Sequence, residues 1–320
     1  MKRALKWISL LLATVLLGLL AISWQSDLDP ADLQAKYANG ASQFIDVGGG
    51  LLVHARDQGR ADGPVLVLLH GSNASLQTWE PWVKRLQSKY RIISLDQIGH
   101  GLTGPNPSDD YSPAAFVSTL DRTLAKLGVT HFALAGNSMG GAVAWNYALA
   151  HPEKVDALIL IDAAGAPVAV PSQLPLGFRI ARMPGIRRLA EVITPRRLVE
   201  RTVRQTIYNQ SVIDDRMIDR YWELLLYPGN RRATAMRFST QHVSANMTTL
   251  SRLHMPVLVM WGREDRLIPV AAARWFVKAL PQAQQIVYPG VGHVPMEEAP
   301  DQSADDVDAF LSRLARPTQK

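Results

Sequence analysis

The sequence predicts an α/β fold in which a mostly parallel, doubly wound sheet is interrupted by an inserted helical segment. Short apolar runs, which are typical of buried strands, alternate with longer amphipathic runs, which are typical of helices. This alternation favours parallel strands joined by helical crossovers. It stops between residues 166 and 250 and resumes near Pro256. A chain of 320 residues is long enough for one such domain with an insertion.

Residues 1–25 predict a transmembrane anchor. Basic residues precede an uncharged apolar run from Trp7 to Trp24, and aspartates follow it. Such a run reaches about 27 Å as a helix, close to the roughly 30 Å hydrocarbon core of a bilayer. The positive-inside rule keeps the N-terminus cytoplasmic and places the remainder on the exported side of a bacterial-type inner membrane, as a single-pass protein. The alternative is a signal peptide cleaved near Ala21–Ser23, which gives a secreted protein.

Residues 26–41 are polar and predict a linker, and residues 42–165 predict the first part of the sheet domain. In the first helix of this part, Ser112 is the expected N-cap and Gly128 lies just past the end. The expected elements are a hairpin around 48–50, strands at 64–70 and 91–96, a helix at 112–128, a strand at 131–136, a helix from 139 and a strand at 155–162.

Residues 166–250 predict a helical cap inserted between two strands, and residues 251–320 predict the second part of the sheet domain. The cap segment has 13 arginines, no lysine and six acidic residues, a net charge of +7 against +6 for the whole chain. We interpret this charge in two ways, as a solvated helical surface or as a surface that lies against anionic lipid head groups.

The composition excludes several classes of protein. The chain has no cysteine, which excludes disulfides, thiolate nucleophiles and cysteine-based metal sites. A net charge of +6 is modest for this length and gives no argument for nucleic acid as a partner. With 47% hydrophobic and 19% charged residues, the chain is expected to be globular and not disordered.

A serine in a glycine-rich turn is the candidate nucleophile. Residues 136–140 match the pattern Gly-x-Ser-x-Gly, with Ser138 at the centre, between a predicted strand and a predicted helix. A sharp strand-to-helix turn strains the serine backbone and lifts its hydroxyl clear of the sheet. The two glycines remove Cβ atoms that would collide, and the helix dipole favours negative charge that develops nearby.

Two later loops supply a candidate base and a candidate acid, which a serine hydroxyl needs in order to attack at neutral pH. His293 follows one predicted strand, and Asp265 follows the strand before it. Both loops leave the carboxyl edge of the sheet, as the serine loop does, and the order Ser, Asp, His is the expected one. Glu264 and Asp162 are the alternatives for the acid. For Asp162 we expect a capping or hydrogen-bonding role at the end of its strand.

Two backbone N–H groups are needed to bind the oxyanion. Met139, directly after the candidate nucleophile, supplies one. The loop after the strand at 64–70 supplies the other, from Ser72 with Asn73 as the second choice. His70 is expected to have a structural role, with its side chain fixing that loop.

The chain resembles the α/β-hydrolase superfamily in five motifs, HGSNAS (70–75), DQIGHGLTG (96–104), GNSMGG (136–141), GREDRLIP (262–269) and GVGH (290–293). The resemblance extends over about residues 42–315. It implies an eight-stranded, mostly parallel sheet, a helical cap over the site, and hydrolysis through an acyl-serine with no cofactor or metal.

Within the superfamily, a serine nucleophile disfavours the haloalkane dehalogenases and epoxide hydrolases, which use aspartate at that place. The segment around Ser138 resembles meta-cleavage-product hydrolases, which cut carbon–carbon bonds, and also perhydrolases and carboxylesterases. Those carbon–carbon hydrolases carry Trp after the histidine, where this chain has Val294. We therefore expect a hydrolase of small-molecule esters or acyl compounds, with carbon–carbon hydrolysis as the alternative and a non-catalytic binding protein as a minor one. Asn137 has two candidate roles, tuning the turn or touching substrate.

Overall fold

The computed structural model describes residues 24–169, 174–183, 191–240 and 244–314, together with positions 6, 7, 10, 14 and 18. Within these residues the chain forms one eight-stranded sheet. Its strands are β1 (Ser42–Asp46), β2 (Leu52–Gly59), β3 (Val65–Leu69), β4 (Arg91–Leu95), β5 (Phe132–Asn137), β6 (Val155–Ile161), β7 (Val257–Gly262) and β8 (Gln284–Tyr288).

The strand order is β1-β2-β4-β3-β5-β6-β7-β8. Strand β2 pairs antiparallel with both β1 and β4, and every other pair is parallel. The turn between β1 and β2 contains Gly48, Gly49 and Gly50, all with positive φ, which suits a tight hairpin. The predicted edge hairpin and the predicted eight-stranded, mostly parallel sheet are confirmed.

Helices connect the strands and cover the sheet. They are α1 (Pro30–Tyr37), α2 (Glu80–Leu86), α3 (Pro113–Lys126), α4 (Met139–Ala150), α5 (Leu176–Arg182), α6 (Arg196–Thr206), α7 (Asp215–Leu225), α8 (Asn230–Ser239), α9 (Met247–Leu250), α10 (Ala271–Ala279), α11 (Pro295–Glu298) and α12 (Pro300–Leu314), with 3-10 turns at Leu76–Trp79 and Gln210–Val212.

Two apolar layers enclose the sheet, one on each face. In β3, Val67 and Leu69 belong to one layer, while Leu66 and Leu68 belong to the other. This alternation follows from the two-residue period of a strand, and it explains why the central strands are apolar at every position. Both faces therefore need a layer of helices.

The helices α5 to α9 lie between β6 and β7, where the sequence predicts a cap. No strand occurs among the described residues of 166–250. Helix α6 is amphipathic, with Val203 buried and with Arg197 and Arg201 exposed on its other face. The cap helices therefore follow the carboxyl end of β6 and precede β7 along the chain.

The segment predicted as a linker contains helix α1. Asp29 caps this helix by accepting a hydrogen bond from the backbone N–H of Ala31 at 2.8 Å. Leu33 is buried in a small cluster with Leu102 and Leu224. Because its partners Leu102 and Leu224 lie far along the chain, the composition of the segment gives no sign of this packing.

The predicted anchor lies almost entirely outside the described residues. Within residues 1–25, positions 6, 7, 10, 14, 18, 24 and 25 are described, and all of these except Gln25 are exposed. Within the part of the chain that the structure describes, no helix has both the length and the apolar character needed to cross a bilayer.

Candidate active site

Ser138 occupies a strained turn between β5 and α4. Its backbone has φ 54° and ψ −116°, a conformation that residues with a side chain rarely adopt. The Ser138 N–H donates to the Ile161 carbonyl at 2.9 Å, and the Ser138 carbonyl accepts from Ala164 N–H, also at 2.9 Å. The neighbouring strand and its following loop therefore hold the serine backbone in this conformation from both sides.

Glycines around Ser138 allow very close backbone contacts. A Cβ at Gly140 would lie 2.3 Å from the Leu69 carbonyl oxygen, and one at Gly136 would lie 2.2 Å from the Gly140 carbonyl oxygen. Both distances are far below van der Waals contact. The turn therefore packs directly on the end of β3, as the sequence pattern predicts.

The candidate base and acid form a buried pair. His293 Nδ1 and Asp265 Oδ2 are 2.7 Å apart, and both side chains are almost fully buried. The other carboxylate oxygen of Asp265 accepts hydrogen bonds from the backbone N–H groups of Leu267 at 2.7 Å and Ile268 at 3.1 Å. These bonds fix the carboxylate, which in turn orients the imidazole through Nδ1 and leaves Nε2 for a proton.

Ser138 and His293 line the same cavity. Among the described contacts, no hydrogen bond joins the Ser138 hydroxyl to the imidazole. Such bonds are often long in free enzymes and shorten when substrate binds. The structure thus brings the three predicted residues together around one space, with the acid–base bond already formed.

Glu264, one alternative acid, points elsewhere. Its Oε2 accepts hydrogen bonds from the backbone N–H groups of Gly290 at 2.8 Å and Val291 at 3.2 Å. Glu264 therefore braces the loop that carries His293, and it does not contact the imidazole.

Asp162, the other alternative, lies fully buried beside Asp265. Its Oδ1 accepts from the Gly262 N–H at 3.0 Å, which is the strand-end hydrogen bond expected from the sequence. Its Oδ2 is buried without a hydrogen-bond partner. Burial, followed by the neighbouring charge of Asp265, raises the pKa of Asp162 well above the usual aspartate range. The raised pKa favours the protonated form of Asp162.

Asp162, Asp265 and His293 present ligand atoms within 4.8 Å of one another, so the three side chains meet the simplest distance requirement for a metal ion. The 2.7 Å separation of His293 Nδ1 and Asp265 Oδ2 is that of a direct hydrogen bond. This geometry favours an acid–base pair over a metal site.

The two predicted oxyanion donors flank the serine. Ser72 lines the cavity, and Met139 directly follows Ser138 at the start of α4. Neither backbone N–H has an acceptor among the described residues. Gly71 allows this approach, because a Cβ there would lie 2.8 Å from Asn137 Oδ1.

The loop of Ser72 and Asn73 is held by cap helix α8. Arg237 donates a hydrogen bond from Nη2 to the Ser72 hydroxyl, and Thr234 donates to Asn73 Oδ1 at 2.9 Å. Asn73 has φ 57°, so its backbone is also strained. The cap thus supports the loop that carries one of the candidate oxyanion donors.

His70 and Gln97 fix the other end of this loop. His70 Nδ1 lies 2.7 Å from the Gly71 carbonyl, and its Nε2 accepts from the Gln97 N–H at 3.0 Å. Burial lowers the pKa of His70, which favours the neutral ring that this arrangement needs. The contacts agree with the structural role expected from the sequence.

Asn137 ties the serine turn to the histidine loop. Its amide Nδ2 donates to the carbonyls of Ile161 at 3.2 Å and His293 at 3.0 Å. Asn137 also lines the cavity, but both hydrogens of its amide are engaged by the protein. The observed contacts therefore favour tuning of the turn over donation to substrate.

Glu298 is a positioning residue that the sequence reasoning missed. Its buried carboxylate accepts from the backbone N–H groups of Tyr208, Asn209 and Gly292, each at 2.9 Å. Burial raises the pKa of Glu298, while the backbone N–H donors act in the opposite direction. The residue joins the cap to the loop of His293. In the sequence, only the acidic pair directly after that loop gave a sign of this role.

A single cavity joins these groups. It has an empty volume of about 1080 Å³, which includes its open mouth, and it lies between the serine turn and the cap. Most of its lining is apolar and comes from the cap, including Phe178, Ile180, Leu198, Val199, Val203 and Ile207. Such a surface suits an acyl chain or another apolar group.

A second Ser–His–Asp set lies away from the cavity. His54 Nε2 is 2.8 Å from the Ser42 hydroxyl, and His54 Nδ1 is 2.7 Å from Asp96 Oδ2. Ser42 begins edge strand β1, and Asp96 also accepts from the backbone N–H groups of Leu76 and Leu102. The set joins β1, β2 and the end of β4, and none of its members lines the cavity.

Known proteins share this architecture. A family model described as the alpha/beta hydrolase fold matches residues 64–300. Lipase 1 of Psychrobacter immobilis is 28% identical over 300 residues, which are 91% of this chain and 88% of the lipase. A 2-hydroxy-6-oxononadienedioate/2-hydroxy-6-oxononatrienedioate hydrolase of a Pseudomonas species is 25% identical over 291 residues, 86% and 98% of the two chains. The crystal structure of a bacterial membrane phospholipase A matches with a TM-score of 0.73 at 26% identity, covering 99% of this chain and 100% of that one.

Proposed function

The chain belongs to the α/β-hydrolase family, and on this premise we propose that it is a serine hydrolase of carboxylic esters. The observation that carries the proposal is the buried Asp265–His293 pair, which shares one cavity with a serine held at positive φ. A structural serine needs neither the strained turn nor the oriented base.

The proposed reaction has two stages. Ser138 Oγ attacks the ester carbonyl while His293 Nε2 takes its proton, and the resulting oxyanion is bound by the N–H groups of Ser72 and Met139. The intermediate collapses, and the alcohol leaves with the proton from His293. Water then attacks the acyl-serine, again with His293 as base, and releases the carboxylic acid and the free serine. Asp265 keeps the imidazole in the correct tautomer throughout.

Ester hydrolysis is preferred over carbon–carbon hydrolysis for two reasons. Val294 lines the cavity at the place where the similar carbon–carbon hydrolases carry a tryptophan. The apolar cap lining fits an acyl group, and the similarity to Lipase 1 supports this choice. The similarity to the Pseudomonas hydrolase keeps carbon–carbon hydrolysis as the second candidate.

The test compares the two serines that belong to Ser–His–Asp sets. Ser138→Ala should lower kcat/KM for 4-nitrophenyl butyrate by at least about 10⁴-fold, while Ser42→Ala should leave it within about twofold. Wild type should react stoichiometrically with a fluorophosphonate at Ser138. Activity that survives Ser138→Ala would refute the mechanism. Absence of labelling would point to a binding protein, and turnover of a ring-fission product but of no ester would favour the second candidate.

We also propose that residues 1–25 anchor the protein in a bacterial-type inner membrane with the hydrolase on the exported side, with secretion after signal cleavage as the alternative. The uncharged run from Trp7 to Trp24 supports the anchor. The segment that follows is hydrogen-bonded to the cap, because the N–H of Gln25 donates to the Val192 carbonyl at 2.8 Å and the N–H of Leu28 to the Leu226 carbonyl at 3.0 Å. The cap is then the part of the domain nearest the bilayer.

Helix α6 is the best candidate for contact with anionic lipid. Several cap arginines already have acidic partners, including Arg196 with Asp219 and Arg232 with Asp109. Arg197 and Arg201, one helical turn apart, are exposed on α6. These two arginines give α6 an exposed basic surface, which supports a contact with anionic lipid.

Hydrogen–deuterium exchange of the full chain in nanodiscs tests this contact. Adding phosphatidylglycerol to a phosphatidylcholine bilayer should slow exchange in α6, and high salt should reverse the effect because it screens surface charges. Helix α2, on the sheet domain, is the internal control. Equal exchange in α6 with and without anionic lipid would contradict the lipid contact.

A further inference from the structure

The cavity contains one buried permanent cation. Arg231, on helix α8, lines the same cavity as Ser138, and only 7% of its surface is exposed. Among the described residues that line the cavity, Arg231 and His293 are the only ones with basic side chains, and none has an acidic side chain. A guanidinium in so apolar a space is unusual, because burial of a charge is strongly unfavourable without a partner.

Arg231 is only partly satisfied by the protein. Its Nη2 donates to Asp27 Oδ1 at 2.7 Å. Its Nε and Nη1 are buried without a hydrogen-bond partner. Because these two nitrogens carry three of the five N–H donors of the side chain, most of its hydrogen-bonding capacity is unused. The Asp27 side chain is 41% exposed, so the neutralising charge sits towards solvent while the cation sits inside.

We propose that Arg231 is the anion-binding subsite of the cavity and that the preferred substrates are acyl esters that also carry a phosphate or carboxylate group. This inference rests on the proposed ester hydrolysis and gives it a substrate class. Nη1 alone carries two of the free N–H donors, so it can donate charge-assisted hydrogen bonds to an oxyanion that enters the cavity. The apolar cap residues accommodate the acyl chain, while Arg231 fixes the charged end of the molecule.

The first experiment measures specificity with matched substrates. The full-length protein is assayed on a lysophosphatidylglycerol and on a monoacylglycerol with the same acyl chain. Arg231→Gln should lower kcat/KM for the lysophospholipid by about 10- to 100-fold, the effect of losing a charged hydrogen bond, and change that for the monoacylglycerol by less than about threefold. Arg231→Lys should give an intermediate result, because it keeps the charge but replaces the planar guanidinium with a point charge.

The neighbouring arginine provides the control. Arg232 is adjacent in sequence, but its side chain is 54% exposed and pairs with Asp109 outside the cavity. Arg232→Gln should leave the ratio of the two kcat/KM values unchanged. An equal loss on both substrates in Arg231→Gln, or an unchanged ratio, would overturn the proposal.

A binding experiment separates this proposal from the proposed function. Hexyl phosphate, hexanol and inorganic phosphate are titrated into Ser138→Ala protein by calorimetry. Hexyl phosphate should bind at least about tenfold more tightly than either of the others, and Arg231→Gln in the same background should remove that advantage. If hexyl phosphate binds in this way while the wild type hydrolyses no ester, the subsite stands and the proposed function fails. Equal binding of hexyl phosphate and hexanol, or of hexyl phosphate and inorganic phosphate, would refute the subsite even if the Arg231 variants do not fold.

Discussion

Replacement of Asp162 by asparagine tests the assignment of the two buried carboxyl groups. Protonated Asp162 accepts from the Gly262 N–H through Oδ1 and faces Asp265 with its other oxygen. The asparagine amide reproduces both roles, since its oxygen accepts from Gly262 and its NH₂ donates towards Asp265. We therefore expect Asp162→Asn to fold and to keep kcat/KM within about threefold, while Asp265→Asn should lose about 10⁴-fold because the imidazole adopts the wrong tautomer.

The size of the stability effect follows from proton linkage. The pKa of Asp162 is raised in the folded protein by burial and by Asp265, whereas an unfolded aspartate titrates near about 3.9. Between these two pKa values the folded state holds one proton that the unfolded state has released. The stability of the wild type therefore falls as pH rises through this window, by about 1.4 kcal/mol per pH unit from this group alone. Asp162→Asn removes that loss, so its advantage over wild type should grow with pH at the same rate.

Urea unfolding followed by tryptophan fluorescence measures this difference at pH 5, 6 and 7. Asp32→Asn is the control, because Asp32 is exposed on α1. The free-energy difference between the Asp32 variant and wild type should stay nearly constant with pH. A flat difference for Asp162→Asn as well, together with a large loss of activity, would show that Asp162 is the ionised acid and that the assignment is reversed.

Three further substitutions probe the supports of the site. Asn137→Ala removes the donor to the His293 carbonyl, whereas the Ile161 carbonyl keeps its bond from the Ser138 N–H. We expect about 1–3 kcal/mol of lost stability and a lower kcat as the loop of His293 loosens, and an unchanged kcat would contradict this role. Gly140→Ala places a Cβ 2.3 Å from the Leu69 carbonyl oxygen and should lower the free energy of unfolding by about 3 kcal/mol or more. A melting temperature equal to that of the wild type would show that the turn is less tightly packed. Glu298→Ala leaves several backbone N–H groups unsatisfied and should reduce kcat. Glu298→Gln keeps one oxygen acceptor and should recover part of the activity. Equal loss in both variants would show that the negative charge is essential.

Local patterns predicted the sheet and its carboxyl edge well. The continuous apolar runs and the caps at Ser112 and Gly128 carry their information within a few residues, so strands and helices fall close to their expected bounds. The same edge explains why the separate loops of Ser138, Asp265 and His293 converge, since parallel strands bring the loops that follow them to one side. For these residues, knowledge of topology was enough.

Contacts between distant segments were beyond the sequence. Helix α1 packs through Leu33 and its neighbours against residues that are far along the chain. The exposure of each cap arginine depends on tertiary pairing, so the total charge of the segment did not distinguish buried Arg231 from exposed Arg197. Likewise, Glu298 acts on backbone groups of the cap, and no local pattern records such a contact.

The Ser42 set shows how the proposed nucleophile differs from another serine with histidine and aspartate partners in this molecule. Its two side-chain hydrogen bonds, at 2.8 and 2.7 Å, are complete, so a template built on side-chain distances alone would select it ahead of Ser138. The two serines differ in their main chain. Ser42 begins a regular strand, whereas Ser138 stands at φ 54° beside unused N–H groups and an open cavity. If Ser138 is the nucleophile, as proposed, the path of the backbone distinguishes it from Ser42 more clearly than the side-chain partners do.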